Sequence, residues 1–261
     1  MKKSHNKKKK PESYTDRSYR KLANMSELIS TTVRIEETDL HILADRDVTA
    51  SATDLILQYR SQLENYILKN PAFSASLVPL EVDKLAPPMV RSMMQAGVAA
   101  SVGPMAAVAG AVAENVGLGL LMDGCREMVV ENGGDVFFSR TKDCSVAIFA
   151  GESPLSYKVG VRLPAKDMPV GICTSSGTIG HSLSFGDADS VTVIATSTLV
   201  ADAAATRLGN EVGHGGGGKT GMQHALDKAS AIEGIRGVVV ICGELMGAYG
   251  EVELVKVNLR G

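Results

Sequence analysis

Ser190-Val-Thr-Val-Ile-Ala-Thr196, followed at once by Ser197-Thr-Leu-Val-Ala-Asp-Ala-Ala-Ala-Thr206, is the stretch on which the fold turns. Val191 to Ile194 are four β-branched residues in a row, the composition of a strand that packs on both faces. Alanine, the strongest helix former, then takes over. The reading is a buried strand over Ser190–Thr196 and a helix over Leu199–Asn210. Downstream come a glycine run, a second helix over Lys219–Ile232, and strands at Arg236–Cys242 and Glu251–Val257. Upstream, Tyr157–Leu163 and Val170–Thr174 are strand candidates.

The first half shows the same order. Ile29–Glu37 and Asp39–Ala44 read as strands around a turn. Leu55, Ile56, Tyr59, Leu63, Tyr66 and Ile67 then recur at helical spacing within Val48–Asn70, until Pro71 stops the segment. A helix begins near Pro87 and continues with breaks to about Asn115. Glu127–Glu131, Asp135–Ser139 and Ser145–Ala150 follow as strands. Short links between successive strands favour antiparallel pairing with helices on one face. The expected fold class is therefore α+β: tandem ββααββ units, about 26–150 and 151–261, T-fold-like, with antiparallel sheets and helices packed on one face. The repetition is one of element order and not of residues.

Composition narrows the function classes. The chain has 261 residues, 44% of them hydrophobic, no tryptophan and 27 glycines. Its core must be aliphatic. Nine lysines and arginines within residues 1–21 face only Glu12 and Asp16, a local charge of +7 that leaves −9 for the rest. Nothing in residues 1–25 is apolar enough to fold, so they read as a disordered solubilising tail rather than a nucleic-acid arm. No apolar region follows the lysines to make a signal peptide. The most apolar stretch, Ala96–Met122, carries too many glycine and polar breaks for a membrane span and reads as a buried helical pair. Cys125, Cys144, Cys173 and Cys242 form no CxxC pair, which fits reduced thiols in a cytoplasmic protein. A homo-oligomer is compatible with all of this.

Four motifs can carry chemistry. Gly171-Ile-Cys-Thr-Ser-Ser-Gly-Thr-Ile-Gly-His181 groups small hydroxyl residues and glycines after a strand, where backbone amides can meet an anion. His181 can hold a proton near neutral pH. The plain alternative is an ordinary Ser/Gly turn. Asp202-Ala-Ala-Ala-Thr206 places a carboxylate and a hydroxyl on one helix face, an oxygen pair suited to Mg²⁺; otherwise Asp202 simply complements the dipole of its own helix. Gly213-His-Gly-Gly-Gly-Gly-Lys-Thr220 fits GxxxxGK[ST] literally, but it follows a helical segment where a P-loop requires a strand. Glu131-Asn-Gly-Gly-Asp135 is a strong hairpin-turn signal whose amides could also border a ligand.

Taken in order, Glu131–Asp135, Cys173-Thr-Ser-Ser-Gly177, Ser190–Ala195 and Ala201–Thr206 resemble the ApbE-like superfamily, best known for FAD:protein FMN transferases. The resemblance covers roughly Ala86–Val257. It implies a flavin nucleotide, FAD or FMN, or another small phosphorylated ligand, held between two related halves, and a divalent cation, Mg²⁺, that in the transferases activates the diphosphate for attack by a protein threonine. Asp202 and Thr206 would hold the metal. Gly133, Gly134, Asp135, Thr174, Ser175, Ser176 and Gly177 would line the cofactor, with His181 beside them. The chain departs from the transferases in having no lysine over residues 99–113, and Glu131 stands where their Asn-x-Gly-Gly pattern has its asparagine. These departures count against FMN transfer. The chain looks most similar to a shorter branch of methanogens and other anaerobes that is linked to sulfur assimilation and homocysteine formation. That link makes Cys173 a candidate persulfide carrier serving a partner protein.

Overall fold

The structure, a computed structural model, describes residues 27–176 and 188–257. The chain enters through β1 (Ile29–Ile35) and β2 (Thr38–Ala44), then α1 (Thr49–Lys69), α2 (Pro71–Ala75) and α3 (Pro88–Ala100). A 3-10 turn, Pro104–Ala107, leads into α4 (Val108–Met122). Next come β3 (Met128–Asn132), β4 (Asp135–Ser139), β5 (Cys144–Ala147), β6 (Val159–Leu163), β7 (Val170–Ser175) and β8 (Ser190–Ala195). Helices α5 (Thr198–His214) and α6 (Gly218–Ala229) precede β9 (Ile235–Cys242), β10 (Leu245–Gly250) and β11 (Leu254–Lys256).

Eight strands form one antiparallel sheet in the order β1-β2-β3-β4-β7-β8-β9-β10. Strands, helices and strands thus occur twice around a continuous sheet, joined where β4 pairs with β7 from Asp135↔Cys173 to Phe138↔Val170. Alternation sorts the side chains. Val191, Val193, Val238 and Val240 face α3, α5 and α6, while Val33, Leu40, Ile42 and Val130 face α1 and α4. Each fully buried valine contributes about 1.5–3 kcal/mol relative to exposure. Asp47 supplies the cap that α1 lacks at Val48, its Oδ1 accepting the Thr49 amide at 2.9 Å and the Thr49 hydroxyl at 2.7 Å.

The opposite face of the sheet is covered too. Strands β5, β6 and β11 make a separate three-stranded sheet, with Val161 and Leu163 packed against Phe138, Ile172, Ile194 and Val239. The sequence reading had placed these strands in the main repeats, and it missed β10. The reason is plain in both cases. Alternation shows that a strand has a buried face but not which sheet buries it. β10 is a Gly-containing edge strand, Leu-Met-Gly-Ala-Tyr-Gly, that is exposed over most of its length. Pro71 stops α1 as expected but also opens the short α2. Pro104–Met122 is long and apolar enough for a span by composition alone. Here its Gly110, Ala111, Val112, Ala113, Val116 and Leu120 are packed in the core.

Candidate functional site

The hairpin between β3 and β4 turns on Gly133 and Gly134, with Gly133 in the left-handed region at φ 71. A Cβ on Gly134 would stand 2.8 Å from the Thr174 carbonyl, so glycine is required where the hairpin meets β7. The Thr174 amide donates to the Gly134 carbonyl at 3.0 Å. The flanking residues Asn132 and Asp135 are direct neighbours across the ladder. Like Val130 and Phe137, two residues before and after them, they lie on the helix-covered face.

Asp135 also lies directly across the next ladder from Cys173, which is fully buried. Above this pair sit α4 and α5, in contact through Gly110. A Cβ there would come within 2.5 Å of the Thr198 carbonyl and 2.9 Å of the Asp202 Cβ. Asp202 is 8% exposed, and its Oδ2 accepts the Gly110 amide at 2.8 Å. It therefore serves the N-terminus of α4 and not, as its place in the sequence suggested, that of its own helix. Glu114 of α4 does the converse. Its Oε2 accepts the amides of Thr198 and Leu199 and the Ser197 hydroxyl at the start of α5.

Burial pushes Asp135 up to about 7, with Glu131 adding to the shift and a hydrogen bond to Cys173 opposing it. Burial, then the charge of Asp135, pushes Asp202 well above the usual carboxylate range, although the amides of Gly110 and Ala109 favour its charged form. Among the described residues, the groups that act on these two carboxyls are other acids, Cys173 and backbone amides. Asp202, with Thr206 four residues further along the same helix face, and Asp135 across from it are the oxygen-bearing side chains here that could hold a small divalent cation, while no cluster of three or more His, Cys, Asp or Glu side chains gathers among the described residues. Burial likewise raises the Cys173 thiol, as do the carboxylates of Asp135 and Asp202. Its Sγ lies 3.3 Å from the Thr198 carbonyl as a donor. The sequence reading had allowed for a thiol acidified by backbone donors, and the surroundings here do the opposite.

The structure divides the remaining candidates. Cys173 and Thr174 are neighbours in sequence but point to opposite faces of β7. Thr174 Oγ1 bonds Thr192 Oγ1 at 3.0 Å on the face away from α5. Ser175 returns to the side of Cys173, and it and Ser176 are partly exposed at the strand end. Gly177 and His181 lie outside the described residues. The P-loop-like run joins the end of α5 to the start of α6, and no strand precedes it. Its His214 stands near Glu211, which accepts His224 Nε2 at 2.8 Å and Arg207 Nε at 2.6 Å, a bond set that ties α5 to α6.

Sequence reasoning missed Gly110, Glu114 and Asn132. The first two read only as breaks in the apolar stretch Ala96–Met122, and their partners are 92 and 84 residues away. Asn132 was visible only as a turn former. A groove of about 430 Å³ opens beside Glu114 and Ser197, with Gln95, Ala96, Ala99 and Val200 among its walls.

The comparisons agree with this architecture. A family model described as "AbpE bacteria" matches residues 20–254. A UPF0280 protein of Methanococcus maripaludis strain C5 is 43% identical over 232 residues, covering 87% of this chain and 93% of the relative. Another, from Methanocaldococcus jannaschii, is 42% identical over 230 residues with the same two coverages. Among solved structures, the apo flavinyl transferase ApbE of Pseudomonas stutzeri superposes with a TM-score of 0.56 over 85% of this chain and 94% of that one. Its 16% identity speaks for the fold alone. With the family model spanning most of its length and relatives above 40% identity over 87% of it, this chain belongs to the ApbE-like family.

Proposed function

We propose that this protein binds a flavin nucleotide through its phosphates together with one divalent cation, at the junction of β4, β7, α4 and α5. The observation that carries the reading is the Asp202 carboxyl. It is buried, oriented by the Gly110 amide, and faced by the charge of Asp135. The flavinyl transferase fold of the solved neighbour supports a flavin as the ligand class.

In this reading Asp202 and Thr206 supply oxygens to the cation, whose charge would offset part of the negative charge of the ligand phosphates and the carboxyl pair. Asp135 adds negative charge from the sheet side and draws the cation toward the strand ends. The Gly133–Gly134 turn lets backbone approach closely, and the Ser175 and Ser176 hydroxyls offer hydrogen bonds at the same edge. Glu114 holds the first turn of α5, and so the carboxyl of Asp202 one turn further on, in register with α4. Binding, rather than FMN transfer, is the activity proposed, because residues 99–113 offer no lysine.

The test is thermal unfolding with FAD or FMN, with and without Mg²⁺. A ligand that binds only the native state raises the melting temperature by mass action. The expected result is a Mg²⁺-dependent rise for the wild type that disappears in Asp202→Asn, a variant that keeps an acceptor for Gly110. A rise of equal size in that variant would remove Asp202 from the site, and no rise in the wild type would overturn the flavin reading.

A further inference from the structure

We infer that Asn132 is a positioning residue that acts through a single peptide group to fix the Asp202 carboxylate. Asn132 Nδ2 donates to the carbonyl of Ala109 at 3.1 Å. The amide of the next residue, Gly110, donates to Asp202 Oδ2 at 2.8 Å. The Ala109 carbonyl and the Gly110 amide belong to one planar trans peptide, so they point to opposite sides of it. The asparagine grips one side and the carboxylate sits on the other. Rotation of that peptide breaks both bonds, and holding the carbonyl aims the amide.

Within α4 the Ala109 carbonyl also takes the helix's own i+4 amide, so Asn132 adds a second bond to the same oxygen and comes from outside the helix. The Ala109 carbonyl and the Gly110 amide lie in the first turn of α4, where amides have no partner within the helix. Gly110 has no side chain to wedge against α5, because a Cβ would collide with Thr198 and Asp202. Asn132, in contrast, is anchored on a short hairpin, directly across the ladder from Asp135. The same two-residue turn therefore sets both the carboxyl opposite Asp202 and the amide that orients it. Residues that orient a metal-binding carboxylate through a hydrogen bond typically change metal affinity by about 10–100-fold when removed. The functional consequence rests on the reading of Asp202 as a cation ligand, whereas the positioning itself does not.

The experiment has two parts. In the full-length protein without cation, amide exchange is followed by NMR for Gly110 and for the Asn132 side chain. In the wild type both should exchange well below free-amide rates. In Asn132→Leu, which keeps the shape and loses the donor, Gly110 should exchange about tenfold faster or more, while core amides such as Val193 are unchanged. Mn²⁺ affinity, read by titration calorimetry on the same proteins, should fall by about tenfold or more in Asn132→Leu. Unchanged Gly110 exchange in a folded Asn132→Leu overturns the positioning role. A wild-type Asn132 side chain that exchanges like a free amide also overturns it, even if the variant does not fold. A wild type that holds no Mn²⁺ while Gly110 still depends on Asn132 refutes the cation reading and leaves the positioning intact.

Discussion

Glu114 and Asp202 exchange helix ends: each carboxylate accepts amide hydrogens at the N-terminus of the helix on which the other resides. The two helices are joined by these bonds and by the glycine at their crossing. An acidic group is favoured there by the helix dipole as well as by the unpaired first-turn amides. In one of the two, that stabilising role coincides with the proposed chemistry.

Removing Glu114 separates the two roles. Glu114→Ala leaves the amides of Thr198 and Leu199 without their acceptor, a loss of about 1–3 kcal/mol. Glu114→Gln should recover part of it. Urea unfolding reads the difference, and an alanine variant as stable as the wild type would show that the α5 end is held by something else.

Gly110→Ala tests the crossing itself. Alanine is the better helix former by about 1 kcal/mol, yet its methyl would meet the Thr198 carbonyl at 2.5 Å. Overpacking against backbone should prevail, with a net destabilisation of about 1–3 kcal/mol. A stabilised variant, measured by the same unfolding midpoint, would mean that the helices separate easily.

Asp135 makes stability depend on pH in a definite direction. Its folded-state value is raised from 3.8 to about 7, so the folded chain holds this proton more tightly than the unfolded one. That contribution is complete below the ordinary value and is lost as pH rises through about 7. Without divalent cation, the stability of wild type relative to Asp135→Asn should therefore decline between about pH 4 and pH 7. Denaturation midpoints of the pair across that interval decide it. A constant difference would mean that Asp135 titrates normally.

Cys173 should be chemically silent in the folded protein. It has no exposed surface, and burial with two nearby carboxylates keeps it a thiol. Iodoacetamide at pH 8, followed by peptide mass spectrometry, should label Cys173 only after unfolding. Rapid labelling of the native chain would reopen a sulfur-transfer role.

Much of the fold was legible from local pattern. The β-branched run at Ser190–Ala195, the helical spacing within Thr49–Lys69 and the Asn-Gly-Gly turn each state their own conformation, because propensity and turn chemistry act over a few residues. The partition into two sheets was not legible, since Val161 and Val191 look alike until one knows what covers them. For the site, Asp202 stood out by its spacing from Thr206. Thr174 seemed equally eligible, and only the pleat of β7 turns it away from its neighbour Cys173. Glu114 and Asn132 stayed hidden because their meaning lies in helix ends that the sequence does not juxtapose.

The ladder between β4 and β7 also decides what a severed chain can do. A fragment ending before β7 carries Asn132, Asp135, Gly110 and Glu114, and one beginning there carries Cys173, Asp202 and Thr206. The second would keep both proposed cation ligands but lose Gly110, Asn132 and Asp135, which orient and face the Asp202 carboxyl, and each leaves a strand edge unmatched. Recovery of ligand binding on mixing would then be a complementation signal, reporting that two incomplete sheets have zipped into one.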